Sequence, residues 1–155
     1  MPNTRDFPLD PVDLPGTWSG RTVTVIDAST LVAYVLREEG WGAIEGLLRE
    51  GPRSVELLPL EAANAILVAR RHKRVNAAEA SEALRTVQGL SELAVDLVPP
   101  APLVNGAWEI ALQESVTMYD AVYLELARQD RRALASRDAA QIRAARNLGI
   151  RVIET

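Results

Sequence analysis

Val25-Ile26-Asp27-Ala28-Ser29-Thr30, "VIDAST" at residues 25–30, decides how the fold is read. The run Thr22–Ile26 alternates threonine with apolar β-branched residues and stops at a carboxylate, after which three small residues follow. A short run of this kind, bounded by turn-forming residues, reads as a buried strand. Three chemistries put an acid at its end: a helix cap, a phosphoryl-accepting nucleophile or a metal ligand. The rest of the chain has to separate them.

Working outward, the same strand-then-helix pattern repeats. Helical patterns cover Ser29–Glu39 and Gly42–Glu50, broken at Gly40, and Ser54–Leu58 reads as a second strand. Pro59–Arg71 reads as a helix with proline in its first turn, where the missing N–H does no harm. Residues 76–90 form an alanine-rich helix with Asn76 as N-cap. Ala94–Val98 is a strand stopped by Pro99 and Pro100. Helices Leu103–Gln113 and Met118–Gln129, a strand Ala133–Ser136, a helix Ala139–Asn147 closed by Gly149, and a last strand Arg151–Ile153 complete the order. Strands alternating with helices predict an α/β domain of three layers, with about five short, mostly parallel strands covered on both faces. Residues 1–20 hold Pro2, Pro8, Pro11 and Pro15 without periodicity. They read as an arm preceding a domain over 21–155, with Phe7 and Trp18 available to bury.

Composition narrows the function classes. At 155 residues, 48% hydrophobic and 25% charged, the chain is one domain's worth and can bury a core unaided. Cysteine is absent, which excludes disulfides and thiolate metal sites. The start shows neither a signal peptide nor a window near the roughly 18 apolar residues of a membrane span, so a cytoplasmic protein is expected. The net charge of −4 is wrong for a protein that simply coats nucleic acid.

Ligands of open α/β sheets bind beyond the carboxyl ends of the strands. Four acids fall at corresponding places there: Asp27, Glu61, Asp120 and Asp138. Each has a local explanation. Thr117 and Asp120 fit a capping box, Asp138 fits an N-cap, and Glu61 suits the positive end of a helix. Together the four would repel one another unless a cation neutralised them. A hard ion, Mg²⁺ or Mn²⁺, one or two per site, matches an all-oxygen donor set in a chain with one histidine.

These residues resemble the PIN-domain family, and within it the VapC-type ribonuclease toxins of type II toxin–antitoxin systems. "VIDAST" carries Asp27 and Ser29; "LEAANAI" carries Glu61 and Asn64; "VTMYDAVYLELA" carries Thr117, Asp120 and Tyr123; and "LASRDAAQIRAARNLGIRVIE" carries Asp138. The order is right over residues 22–155, with Ser136 standing where threonine is usual. The resemblance implies an endoribonuclease in which the four acids hold the metal and a water attacks in line, leaving 5′-phosphate and 3′-hydroxyl ends. It implies a homodimer, and a groove between helices for a VapB-type antitoxin, with inhibition of translation as the outcome.

Ser29, Asn64, Thr117 and Ser136 would cap helices or orient a neighbouring acid. Arg70, Arg71, Lys73, Arg74, Arg137 and Arg143 are candidate phosphate contacts on RNA. His72, set among cations, reads as surface. The four acids supply −4, which two divalent ions would cancel. Rival readings are a PIN-fold binding module without catalysis, a nuclease acting on structured DNA, and an aspartyl phosphatase or phosphotransferase. The last needs a second acid two residues after Asp27, where Ser29 stands.

Overall fold

The computed structural model describes residues 23–155. The arm expected at 1–20, and Thr22 at the head of the first expected strand, lie outside the described residues. Among the described residues five strands form: β1 (Val25–Ile26), β2 (Arg53–Val55), β3 (Asp96–Val98), β4 (Leu134–Ala135) and β5 (Val152–Ile153). They make one sheet in the order β3-β2-β1-β4-β5, and every neighbouring pair is parallel. Each strand is shorter than the apolar run that encodes it. Side-chain hydroxyls extend the short ladders: Ser54 Oγ donates to the Ile26 carbonyl at 2.7 Å, and Thr30 Oγ1 to that of Ala135 at 2.9 Å.

Among the described residues seven α-helices join the strands: α1 (Ala28–Val35), α2 (Trp41–Arg49), α3 (Leu58–Arg71), α4 (Ala77–Leu93), α5 (Val104–Glu114), α6 (Met118–Asp130) and α7 (Ala139–Asn147). A 3-10 turn, Ala101–Leu103, leads into α5. The expected second strand ran to Leu58, but Leu58 already opens α3, with Pro59 in its first turn. The break at Gly40 falls where expected. Gly40 has φ +86°, where other residues are strained, and the backbone of Thr155 would lie 3.2 Å from a Cβ there, closer than ordinary contact. Asn76 caps α4 in a full capping box with Glu79, in which each side chain accepts from the other's backbone N–H.

Right-handed crossovers distribute these helices. The chain steps from β1 out to β3 with α1–α4 on one face, then returns past β1 to β4 and β5 with α5–α7 on the other. The contacts agree: α1 packs on α2, α3 and α4, while α6 packs on α5 and α7. Helix α6 is enclosed, with residues 121–127 all buried. Within it Glu125 is 2% exposed, accepting from Arg128 Nε at 2.7 Å and Gln129 Nε2 at 2.7 Å. Its carboxylate lies in the space a side chain at Gly106 of α5 would occupy. At the amino edge of the sheet, Arg53 pairs with Asp96 at 2.7 Å and with Asp130, tying β2, β3 and α6 together.

The strand order reverses at β1. The crevice between the carboxyl ends of β1 and β4 is therefore the switch point at which such sheets bind ligands. Asp27 follows β1, and Ser136, Arg137 and Asp138 follow β4.

Candidate functional site

Asp27 is 4% exposed and caps α1, its Oδ1 accepting from Thr30 N–H at 2.9 Å. Ser29 Oγ lies 2.8 and 2.7 Å from its two oxygens, and Ser136 Oγ donates to Oδ2 at 2.8 Å. Both hydroxyls also accept from the loop after β4: Arg137 N–H donates to Ser29 Oγ at 2.9 Å, and Asp138 N–H to Ser136 Oγ at 3.1 Å. The loop is thus fastened onto Asp27 by two serines. Burial pushes the Asp27 carboxyl above its ordinary value, and the bonds from Thr30, Ser29 and Ser136 pull it back only in part.

Glu61 is half-buried in the first turn of α3. Tyr123, 1% exposed on α6, donates its hydroxyl to Glu61 Oε1 at 2.9 Å. Burial raises the Glu61 carboxyl, the Tyr123 bond lowers it, and the charges of Asp120 and Asp27 raise it further. Tyr123 is held far above the usual phenol range by burial and by Glu61, Asp27 and Asp120, so it is a permanent O–H donor. The charges of Asp27 and Asp120 thus reach both Glu61 and Tyr123.

Asp120 lies in the first turn of α6, and its N–H donates to Thr117 Oγ1 at 3.1 Å. The expected capping box is only half present. The Asp120 carboxylate does not turn back to the Thr117 backbone; its Oδ2 accepts the Thr117 hydroxyl at 2.7 Å. Among the described residues no protein donor reaches Asp120 Oδ1 or Glu61 Oε2. Capping therefore accounts for one Asp120 oxygen and leaves the other available. Asp138 joins by another route: it caps α7, its Oδ1 accepting from Gln141 N–H at 2.8 Å, and it meets Asp27 through Ser136. Among the described residues no three acidic or histidine side chains converge tightly enough to hold a metal ion as they stand.

The other candidates divide. Ser29, Thr117 and Ser136 each touch one of the acids, as expected. Asn64 is exposed and has no hydrogen-bond partner among the described residues. Arg70, Arg71, Lys73 and Arg74 are exposed at the far end of α3, about 14 Å along the helix from Glu61. Arg137 adjoins the site and donates to the Glu39 carbonyl at 2.7 Å; Arg143 donates to that of Glu114 at 2.9 Å. His72 is exposed at the C-cap of α3, in keeping with a surface role.

One member of this neighbourhood had not been singled out from the sequence. Gln141 occupies the buried stripe 141, 144, 145 of α7, and a polar residue on an apolar stripe was the signal.

Among curated proteins, no sequence matches this one. Among solved structures, one titled "Crystal structure of PAE2754 from Pyrobaculum aerophilum" is similar at a TM-score of 0.62 and 26% identity, covering 86% of this chain and 90% of that one. The PIN domain family model matches residues 24–147, from the strand before Asp27 to the end of α7. Fold, element order and family match agree: the chain belongs to the PIN domain family.

Proposed function

We propose that this chain is a divalent-metal-dependent endoribonuclease of the VapC type, using Asp27, Glu61, Asp120 and Asp138. PIN domains are generally metal-dependent nucleases. The observation that carries the reading is the placement of Asp27 at the switch point near Glu61, whose Oε1 is held by Tyr123 and whose carboxyl is raised by burial and by the charges of Asp120 and Asp27. The donors suit a hard ion: they are oxygens only, and Glu61 Oε2 and Asp120 Oδ1 are unclaimed by protein donors among the described residues. A spread set of acids matches Mg²⁺, which keeps several of its waters and binds through few carboxylates. When bound, the ion offsets the charge of the phosphodiester and acidifies a water for attack.

The chain's own residues set the geometry. Ser29 and Ser136 hold the Asp27 carboxyl in place and fix the loop bearing Asp138. Tyr123 occupies one oxygen of Glu61 and directs the other outward, and Thr117 does the same for Asp120. Arg137, next to Asp138 in the chain, would meet a phosphate at the site, whereas Arg70, Arg71, Lys73 and Arg74 would meet RNA further along its backbone. Cleavage would leave 5′-phosphate and 3′-hydroxyl ends.

A homodimer and a VapB-type antitoxin belong to the same reading. Val104, Trp108 and Leu112 stand exposed along one stripe of α5, and Leu67, Val68 and Leu84 on α3 and α4, as apolar surface for such contacts. No helix among the described residues is long and apolar enough to cross a membrane.

The test is cleavage of total RNA with Mg²⁺ or Mn²⁺, with 5′-phosphate ends mapped for wild type, Asp27→Asn and Asp120→Asn. New ends are expected from wild type alone. Equal activity in all three would falsify the assignment.

A further inference from the structure

Gln141 is fully buried on the inner face of α7, where Ala144 and Ala145 continue an apolar stripe. Its side-chain Nε2 donates to the backbone carbonyl of Asp120 at 3.2 Å. Its backbone N–H donates to the Asp138 carboxylate at 2.8 Å. Its Oε1 is buried and has no partner among the described residues. An amide half satisfied in a core is a worse stabiliser than an apolar side chain of the same shape. Packing alone therefore does not favour glutamine here. What the amide does is join the first turn of α6 to the first turn of α7, and each of those turns carries one of the four acids.

We infer that Gln141 is a positioning residue, a strut that sets the separation of Asp120 and Asp138 and so tunes divalent-ion affinity at the PIN site. The inference rests on the metal-dependent reading above. It makes a split expectation, because the side chain's contribution to stability and its contribution to ion binding have opposite signs. Gln141→Met keeps length and volume, and it keeps the backbone N–H that caps Asp138. It removes only the grip on Asp120 and the stranded oxygen.

The experiment measures Mn²⁺ affinity by calorimetry and the thermal midpoint in chelator for full-length wild type, Gln141→Met and Asp120→Asn. Gln141→Met is expected to melt at the same temperature as wild type or higher, and to bind Mn²⁺ about tenfold more weakly, the scale for residues that orient metal ligands. Asp120→Asn is expected to bind far more weakly still. If Gln141→Met binds Mn²⁺ like wild type while Asp120→Asn does not, the strut is wrong and the metal reading stands. If Asp120→Asn also binds like wild type, both fall. Wild-type protein gives a second test that needs no substitution, a Mg²⁺ titration followed by the side-chain amide resonances of Gln141. They should shift along with the backbone signals of Asp120 and Asp138; silence there while those signals move overturns the strut.

Discussion

Gly106→Ala should destabilise this protein, against the usual sign for such a change. In a helix interior alanine is favoured over glycine by about 1 kcal/mol. On α5, however, a Cβ at position 106 would overlap Oε1 and Cδ of Glu125 and lie 2.8 Å from Oε2. The carboxylate would have to retreat by roughly 1 Å to reach ordinary contact. Glu125 has little room for that, since it is 2% exposed and anchored by Arg128 and Gln129 on its own helix. Overpacking of this kind costs about 1–3 kcal/mol, and weakening the bonds to a buried carboxylate adds about 1–2 kcal/mol. After the helix preference is offset, the net loss is about 1–4 kcal/mol. In urea denaturation followed by circular dichroism, the midpoint should fall with the slope unchanged. The same substitution in a Glu125→Ala background should have the opposite sign, since the obstruction is gone and the helix preference is all that is left. A neutral or stabilising Gly106→Ala in the otherwise native chain would refute the reasoning.

Three other outcomes follow from the site. Asp27→Asn should abolish RNA cleavage while leaving the metal-free midpoint equal or higher, because it removes a buried charge that Glu61 also feels; a loss of several degrees in chelator would contradict this. Burial holds the Asp27 and Glu61 carboxyls above their ordinary values of 3.8 and 4.5, so the folded state binds these protons more tightly than the unfolded one. Their contribution to stability is complete below those values and is lost as pH rises through the folded-state ones. Thermal scans in chelator should show a falling contribution from pH 4 toward neutral, less steep in Asp27→Asn; identical slopes would count against it. Replacing Arg70, Arg71, Lys73 and Arg74 together by glutamine should weaken RNA binding and flatten its salt dependence without altering Mn²⁺ affinity, as measured by filter binding at several salt concentrations.

The alternation of β-branched runs with helical stretches predicted the layers and the element order, and caps such as Asn76 and Thr117 were legible because they act within four residues. Strand ends were not legible. Val23 and Thr24 are as apolar or β-branched as Val25, but how many residues join the ladder depends on what β2 and β4 offer alongside. The four acids could be named because each sits at the start of an element. Their partners came from elsewhere in the chain: Tyr123 meets Glu61 across 62 residues, and Ser136 meets Asp27 across 109. Asn64 shares a helix face with Glu61 by spacing, but it is exposed while Glu61 is half-buried against Tyr123.

The strand order also imposes a timetable. While the chain is being made, β1 acquires β2 and then β3 on one flank, but its other flank has no neighbour until Leu134 and Ala135 are synthesised. At about 5–20 residues per second, that flank stays open for roughly 5–20 s after β1 emerges. Through that interval Ser136 and Asp138 do not yet exist, and the loop they bring has not closed over Asp27. A nascent chain therefore cannot complete the hydrogen-bonded cluster around Asp27 until Ser136 and Asp138 have been synthesised.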